Sequence, residues 1–133
     1  MFRIYYSGEL TTQMEHSSGQ WVGTDAPVDN AGKGGAFSPT DLVAAALASC
    51  MLTVMAIYAR THNMQLANAN ATVRKSMMAN PRRIAAVQIE MNMPSSLLPH
   101  QRVALEKIAK ECPVARSLHP EMVQEVRFFY TDV

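Results

Sequence analysis

Two cysteines, Cys50 and Cys112, are the residues of this chain whose type and setting offer the clearest chemistry. A thiol reacts as its thiolate, so each position is judged by what would favour the anion there. Cys112 heads the stretch CPVARSLHP, where Pro113 can open a short helix with Cys112 as its cap. Unpaired N–H groups and the dipole at such a helix start favour negative charge. Arg116, one turn along, would direct a cation to the same face. Local chemistry therefore makes Cys112 the more acidic thiol. Cys50 lies in the apolar run LVAAALASCMLTVMAIYA, beyond the reach of the dipole of the helix that starts near Asp41. If Cys50 is the nucleophile, a group distant in sequence must activate it. The plain alternative for either cysteine is a small buried hydrophobe. His16, His62, His100 and His119 have no metal-site spacing with one another or with the cysteines, so no metal site is expected. His119 precedes Pro120 and could face the cleft of Cys112.

Composition narrows the setting of that chemistry. Of the 133 residues 48% are hydrophobic and 17% charged, the balance of one globular domain over residues 1–133. The net charge is +1 with Lys and Arg scattered, so no basic face for nucleic acid is expected. Low charge and ten methionines predict apolar surface of the kind a dimer covers. Two cysteines do not make a disulfide scaffold. MFRIYYSGEL lacks the basic and apolar regions of a signal peptide, so a cytoplasmic location is expected. A disulfide formed there would be transient and catalytic rather than structural. Leu42 to Ala59 is long enough for a minimal membrane span. Its alanines, with Ser49 and Thr53 and no flanking basic loop or aromatic belt, favour instead a helix buried on all sides in a soluble core.

The elements that must position the thiols follow from pattern. Phe2 to Tyr6, Glu9 to Glu15 and Gln20 to Thr24 read as a β-meander with turns at Ser7-Gly8 and Ser17-Ser18-Gly19. Trp21 is expected in the core or at a dimer interface. Asp25 to Phe37 reads as a flexible connector, since its GKGG stretch lacks phosphate-loop spacing. Ser38-Pro39-Thr40-Asp41 is a strong helix start. Ser38 caps, Pro39 opens the helix and Asp41 returns a capping-box bond, the helix running to about Arg60 or His62. Asn70 to Met78 and the alternation Val87, Ile89, Met91, Met93 predict two strands around Asn80-Pro81. Pro99 to Glu111 is an amphipathic helix with Leu105, Ile108, Ala109 and Cys112 on one face. Met122 to Tyr130 supplies a last strand. The class is α+β.

Thr24-Asp25-Ala26-Pro27, FSPTDLVAAALASCM and CPVARSL followed by a final strand together resemble the OsmC/Ohr family, the osmotically inducible and organic hydroperoxide resistance proteins. The match runs in order along nearly the whole chain. It implies an intertwined homodimer of α+β subunits with sites at the dimer interface. It also implies two-cysteine reduction of hydroperoxides without metal or flavin. The positions of the family's attacking and resolving cysteines match Cys50 and Cys112. The sulfenic acid formed on the first would be closed to a disulfide by the second, and a dithiol reductant would reopen it.

The chain departs from the family at two places. Thr40 stands where members carry a glutamate, and Arg3 is the meander's one arginine in place of the residue that activates the attacking thiol. Asp41 by a one-residue shift and Arg116 as a substitute cation are the candidates to replace them. The leading expectation is a thiol-dependent reductase of organic hydroperoxides or hydrogen peroxide. A non-enzymatic dimer binding a small apolar ligand in the same cleft, and a thiol enzyme with another substrate, remain open on the residues alone.

Overall fold

The computed structural model describes residues 1–132. The chain groups into two compact units, Met1–Val43 and Ala44 to the C-terminal end. In the first, β1 (Arg3–Gly8), β2 (Thr11–Glu15) and β3 (Trp21–Asp25) form an antiparallel meander in that order. The first turn is not at Ser7-Gly8. β1 continues to Gly8 past a register shift, and the turn is made by Glu9 and Leu10, at φ 56° and 61°. Two successive left-handed residues match the strand twist of a hairpin, but Asn-Gly or Asp-Gly is their usual signature. Glu-Leu carries no such signal. Trp21 lies outside the core of the single chain, half exposed, with its ring 5.9 Å from that of Tyr5. Ile4, Tyr6 and Val22 are exposed beside it on the same sheet.

The expected flexible connector is tied down by its own backbone. Gly32 N–H donates to Pro27 O at 3.0 Å and Gly34 N–H to Ala26 O at 3.2 Å. Gly35 N–H donates to Asp25 Oδ2 at 2.9 Å. Gly32 lies so close to Ala26 that a Cβ would collide with its carbonyl. Asp25, buried at the end of β3, thus organises the loop that leads to the long helix.

That helix, α1 (Pro39–Thr61), starts as its sequence predicts. Ser38 Oγ accepts from Asp41 N–H at 3.0 Å, and Asp41 Oδ2 accepts from Ser38 N–H at 2.9 Å. Two donors at the helix start are satisfied reciprocally. α1 is long and apolar enough to cross a membrane, by length and composition. In the single chain it is not buried on all sides. It buries one stripe, Ala44, Leu47, Ala48, Met51, Met55 and Ala59, at the three-and-four spacing of one helical face. Ile57 stays exposed on the other side.

In the second unit β4 (Asn70–Met78), β5 (Arg83–Pro94) and β6 (Val123–Thr131) form a sheet with β5 in the centre. β4 pairs antiparallel with β5, whereas β6 pairs parallel, from Ala86 against Val123 to Pro94 against Thr131. A parallel neighbour needs a long crossover, supplied by α2 (Pro99–Lys110) and α3 (Pro113–Ser117). Val87, Ile89, Met91 and Met93 all face the core, as their alternation predicts. With Leu47, Met51 and Met55 of α1 and Leu105 and Ala109 of α2 they make one buried cluster that includes Cys112. α2 is fastened to β6 by the Tyr130 hydroxyl, which donates to Glu106 Oε2 at 2.7 Å, and by Arg102 stacked 4.2 Å from the Tyr130 ring. Burial and the Glu106 carboxylate push the Tyr130 hydroxyl above the usual tyrosine range.

Candidate active site

Cys50 sits mid-way along α1, next to the fully buried Met51, and is itself half-buried. Cys112 sits at the joint of two helices. Its N–H closes the end of α2 by donating to Ala109 O at 3.2 Å, and its carbonyl accepts from Arg116 N–H at 3.1 Å. Its Sγ caps α3, accepting from Ala115 N–H at 3.4 Å, with Pro113 at the first helical position as expected. Gln124 of β6 holds α3 in turn, its Nε2 donating to Ala115 O at 3.0 Å. This tie has no sequence signal, because Gln124 is a polar residue in an alternating strand.

The second unit brings the two thiols together. Both are free, and Cys50 packs against the buried cluster that includes Cys112. Their access differs: Cys112 is 1% exposed, while Cys50 keeps an open side. The expectation that Cys112 is the more acidic thiol fails in its premise. Burial pushes its pKa above the usual thiol value, the Ala115 N–H opposes this, and the Cys50 thiol adds to the rise. Taking a thiolate out of water costs more than one cap hydrogen bond returns.

The auxiliary candidates are engaged locally. Arg116 does not turn its guanidinium to Cys112. Its Nε donates to Glu111 O at 2.9 Å, and a terminal nitrogen lies 3.5 Å from Glu111 Oε2, with the side chain largely exposed. Asp41 holds the capping box described above, and Thr40 Oγ1 lies 3.2 Å from Ser38 Oγ at the same helix start. His119 is exposed, its Nδ1 accepting from Glu121 N–H at 3.0 Å. Among the described residues no group of three or more His, Cys, Asp or Glu could hold a metal ion. An open groove of about 610 Å³ lies in the same unit, lined by Met51 of α1, Lys110 of α2 and Gln124 to Arg127 of β6.

A thiol with solvent access and a buried thiol in one packed region can support a two-step redox cycle. The family model for OsmC-like proteins matches residues 32–127. A crystal structure from Psychrobacter arcticus, of a protein whose name refers to osmotic stress induction and a detoxification response, is 43% identical. It covers 96% of this chain and 94% of that one, with a TM-score of 0.92. Two more distant structures share the fold. An organic hydroperoxide resistance protein OsmC from Legionella pneumophila is 20% identical, with a TM-score of 0.76, over 96% of this chain and 94% of that one. The organic hydroperoxide resistance protein OhrB of Bacillus subtilis is 18% identical, with a TM-score of 0.71, over 97% and 96%. Among curated proteins none matches.

Proposed function

Because this chain belongs to the OsmC-like family, we propose that it is a thiol-dependent reductase of organic hydroperoxides that cycles between a Cys50–Cys112 dithiol and the corresponding disulfide. The observation that carries the reading is the placing of two free thiols in one packed region, one reachable and one buried. The reachable thiol takes the oxidant. The Cys50 thiolate attacks a peroxide oxygen, the O–O bond breaks, and the alcohol leaves with a proton, so Cys50 becomes a sulfenic acid. The Cys112 thiol then attacks the Cys50 sulfur, water leaves, and a disulfide closes.

The raised pKa of Cys112 suits the second role. A resolving thiol that stays protonated does not compete for peroxide, and it needs to lose its proton only as the Cys50 sulfenic acid accepts attack. An external dithiol then reduces the disulfide by two exchange steps and leaves oxidised itself. In this reading Asp41 serves as a helix cap and Arg116 as the partner of Glu111, and the groove beside Met51 takes the organic part of the substrate. The protein works as a homodimer in the cytoplasm. The exposed face of α1 and the exposed aromatic face of the meander support the dimer.

Stopped-flow mixing of the reduced protein with an organic hydroperoxide tests the reading. Rapid loss of two thiols per chain, matched by one equivalent of alcohol, is the expected result. Intact thiols after excess hydroperoxide would sink it and favour a dimer that binds an apolar ligand.

A further inference from the structure

Cys112 is aimed by a short chain of hydrogen bonds that begins on β6. The helix it caps, α3, is five residues long, too short to hold itself in water. Ser117 Oγ donates to Pro113 O at 2.7 Å within the same helix, and Arg116 reaches back only to Glu111, beside Cys112 in sequence. Gln124 does something different. Its Nε2 donates to Ala115 O at 3.0 Å, and the N–H of the same Ala115 donates to Cys112 Sγ at 3.4 Å. The Gln124 backbone is in turn paired with Val87, which is fully buried on the central strand β5. A path of four residues therefore runs from the sheet to the sulfur. The position of Gln124 is informative too. Gln124, Val126, Phe128 and Tyr130 are the half-buried residues of β6, alternating with exposed ones. An amide on such a face costs free energy unless it is hydrogen-bonded, and here its partner is the residue that donates to the Cys112 sulfur.

We propose that Gln124 is a positioning residue for Cys112, acting through Ala115 to hold the sulfur on its line of attack during disulfide closure. This role rests on the dithiol cycle proposed above. Closure needs the Cys112 sulfur to approach the Cys50 sulfur from one direction as it gives up its proton. The Ala115 N–H stays directed at Sγ while the negative charge forms, because Gln124 keeps Ala115 in place from the other side. Without that tie the short helix rocks on its Pro113 end and carries the sulfur off line. A misplacement of about 1 Å can cost on the order of a hundredfold in rate.

The test uses the reduced full-length protein and one equivalent of dithiodipyridine per chain, a disulfide probe that reacts over a wide pH range. Attack by the Cys50 thiolate breaks the probe's S–S bond, releases one thiopyridone and leaves a mixed disulfide on Cys50. Attack by Cys112 on the Cys50 sulfur then closes the protein disulfide and releases the second thiopyridone. This second release is unimolecular, so it does not depend on how the probe met the groove that Gln124 also lines. In Gln124→Glu at neutral pH the second release is expected to slow at least about tenfold relative to wild type. The difference should narrow below the usual carboxylate range, where a protonated Glu can donate its O–H to Ala115 O. Gln124→Met, of similar size but without a donor, should stay slow relative to wild type at every pH. A second release in Gln124→Met as fast as in wild type overturns the proposal, and so does a Gln124→Glu defect that does not change with pH. A wild-type protein with no second release overturns it together with the dithiol cycle. No peroxide enters the assay. A protein inert to hydroperoxide that still shows the second release, slowed in the variants, loses the peroxide reading and keeps the role of Gln124.

Discussion

Cys50, mid-way along α1, packs against the buried cluster that includes Cys112 at the start of α3, and of the two only Cys50 has an open side. This asymmetry orders the two steps. Cys50→Ser is expected to abolish peroxide consumption. Cys112→Ser is expected to allow one turnover and then stop, with Cys50 trapped as a sulfenic acid. A sulfenic-acid reagent read by peptide mass spectrometry checks both. Labelling at Cys112 in the Cys50→Ser protein, with unchanged first-turnover kinetics, would reverse the assignment.

Burial of Cys112 also predicts a pH dependence of stability. Its pKa is higher in the folded chain than in the unfolded one, so the folded state binds the proton more tightly. The stabilisation is complete below the ordinary thiol pKa and is lost as pH rises through the raised value. Tyr130, raised by burial and Glu106, adds a second loss that begins in the ordinary tyrosine range. Urea unfolding of the reduced protein at stepped alkaline pH is expected to show a decline that starts at the thiol range. Cys112→Ala removes that first part of the slope, and Tyr130→Phe removes the later part. Slopes unchanged by either substitution would contradict the assignment.

The reciprocal bonds of Ser38 and Asp41 give a stability prediction at the start of α1. Ser38→Ala is expected to cost about 1 kcal/mol, the usual value of a lost N-cap. Ser38→Ala combined with Asp41→Ala is expected to cost less than the sum of the single losses, because the two side-chain-to-backbone bonds hold the same turn and each orients the other. Chemical denaturation of the three variants measures this coupling, and strictly additive losses would show that the two bonds act independently.

Exposed apolar residues carry the oligomer prediction. Ile57 on α1 is 61% exposed in the single chain, and Trp21 on β3 is 52% exposed. Obligate interfaces bury more than about 2,000 Å² in total, so such faces are expected to be covered by a second subunit. Light scattering should give a dimer at micromolar concentration, and Ile57→Lys should dissociate or unfold it. In a monomer the same surface substitution would cost within about 0.5 kcal/mol. A monodisperse wild-type monomer would contradict the prediction.

Local rules reach far in this sequence, and their failures have physical causes. Ser38, Pro39 and Asp41 define the start of α1 because capping involves only neighbours in sequence. The alternation of Val87, Ile89, Met91 and Met93 reveals β5 because one face of a strand is buried at a time. The parallel pairing of β5 with β6 carries no local mark, since it depends on how α2 and α3 cross between them. Glu9 and Leu10 turn without glycine or asparagine, so the turn appears two residues later than composition suggests. At the site, both cysteines and the Cys112 cap are legible, but the sign of the pKa shift is not. Cap and dipole are local, whereas the burial that outweighs them comes from a cluster that also takes in Leu47 and Met51 of α1 and the apolar face of β5, far along the chain. Gly35 and Asp25 show the same limit, a connector made rigid by a bond between residues ten apart.

The most direct test is the covalent product of oxidation. A disulfide needs Cα atoms about 4.4–6.8 Å apart, and both cysteines belong to one packed region. Reduced protein treated with one equivalent of an organic hydroperoxide and then digested without reduction is predicted to give a single cross-linked peptide pair. That pair joins Cys50 to Cys112 within one subunit. The oxidised form should also melt higher, since closing a loop of this length stabilises by roughly 4 kcal/mol in the chain-entropy model. Cysteines still free after the peroxide is added, or cross-links only between subunits, would contradict the dithiol cycle.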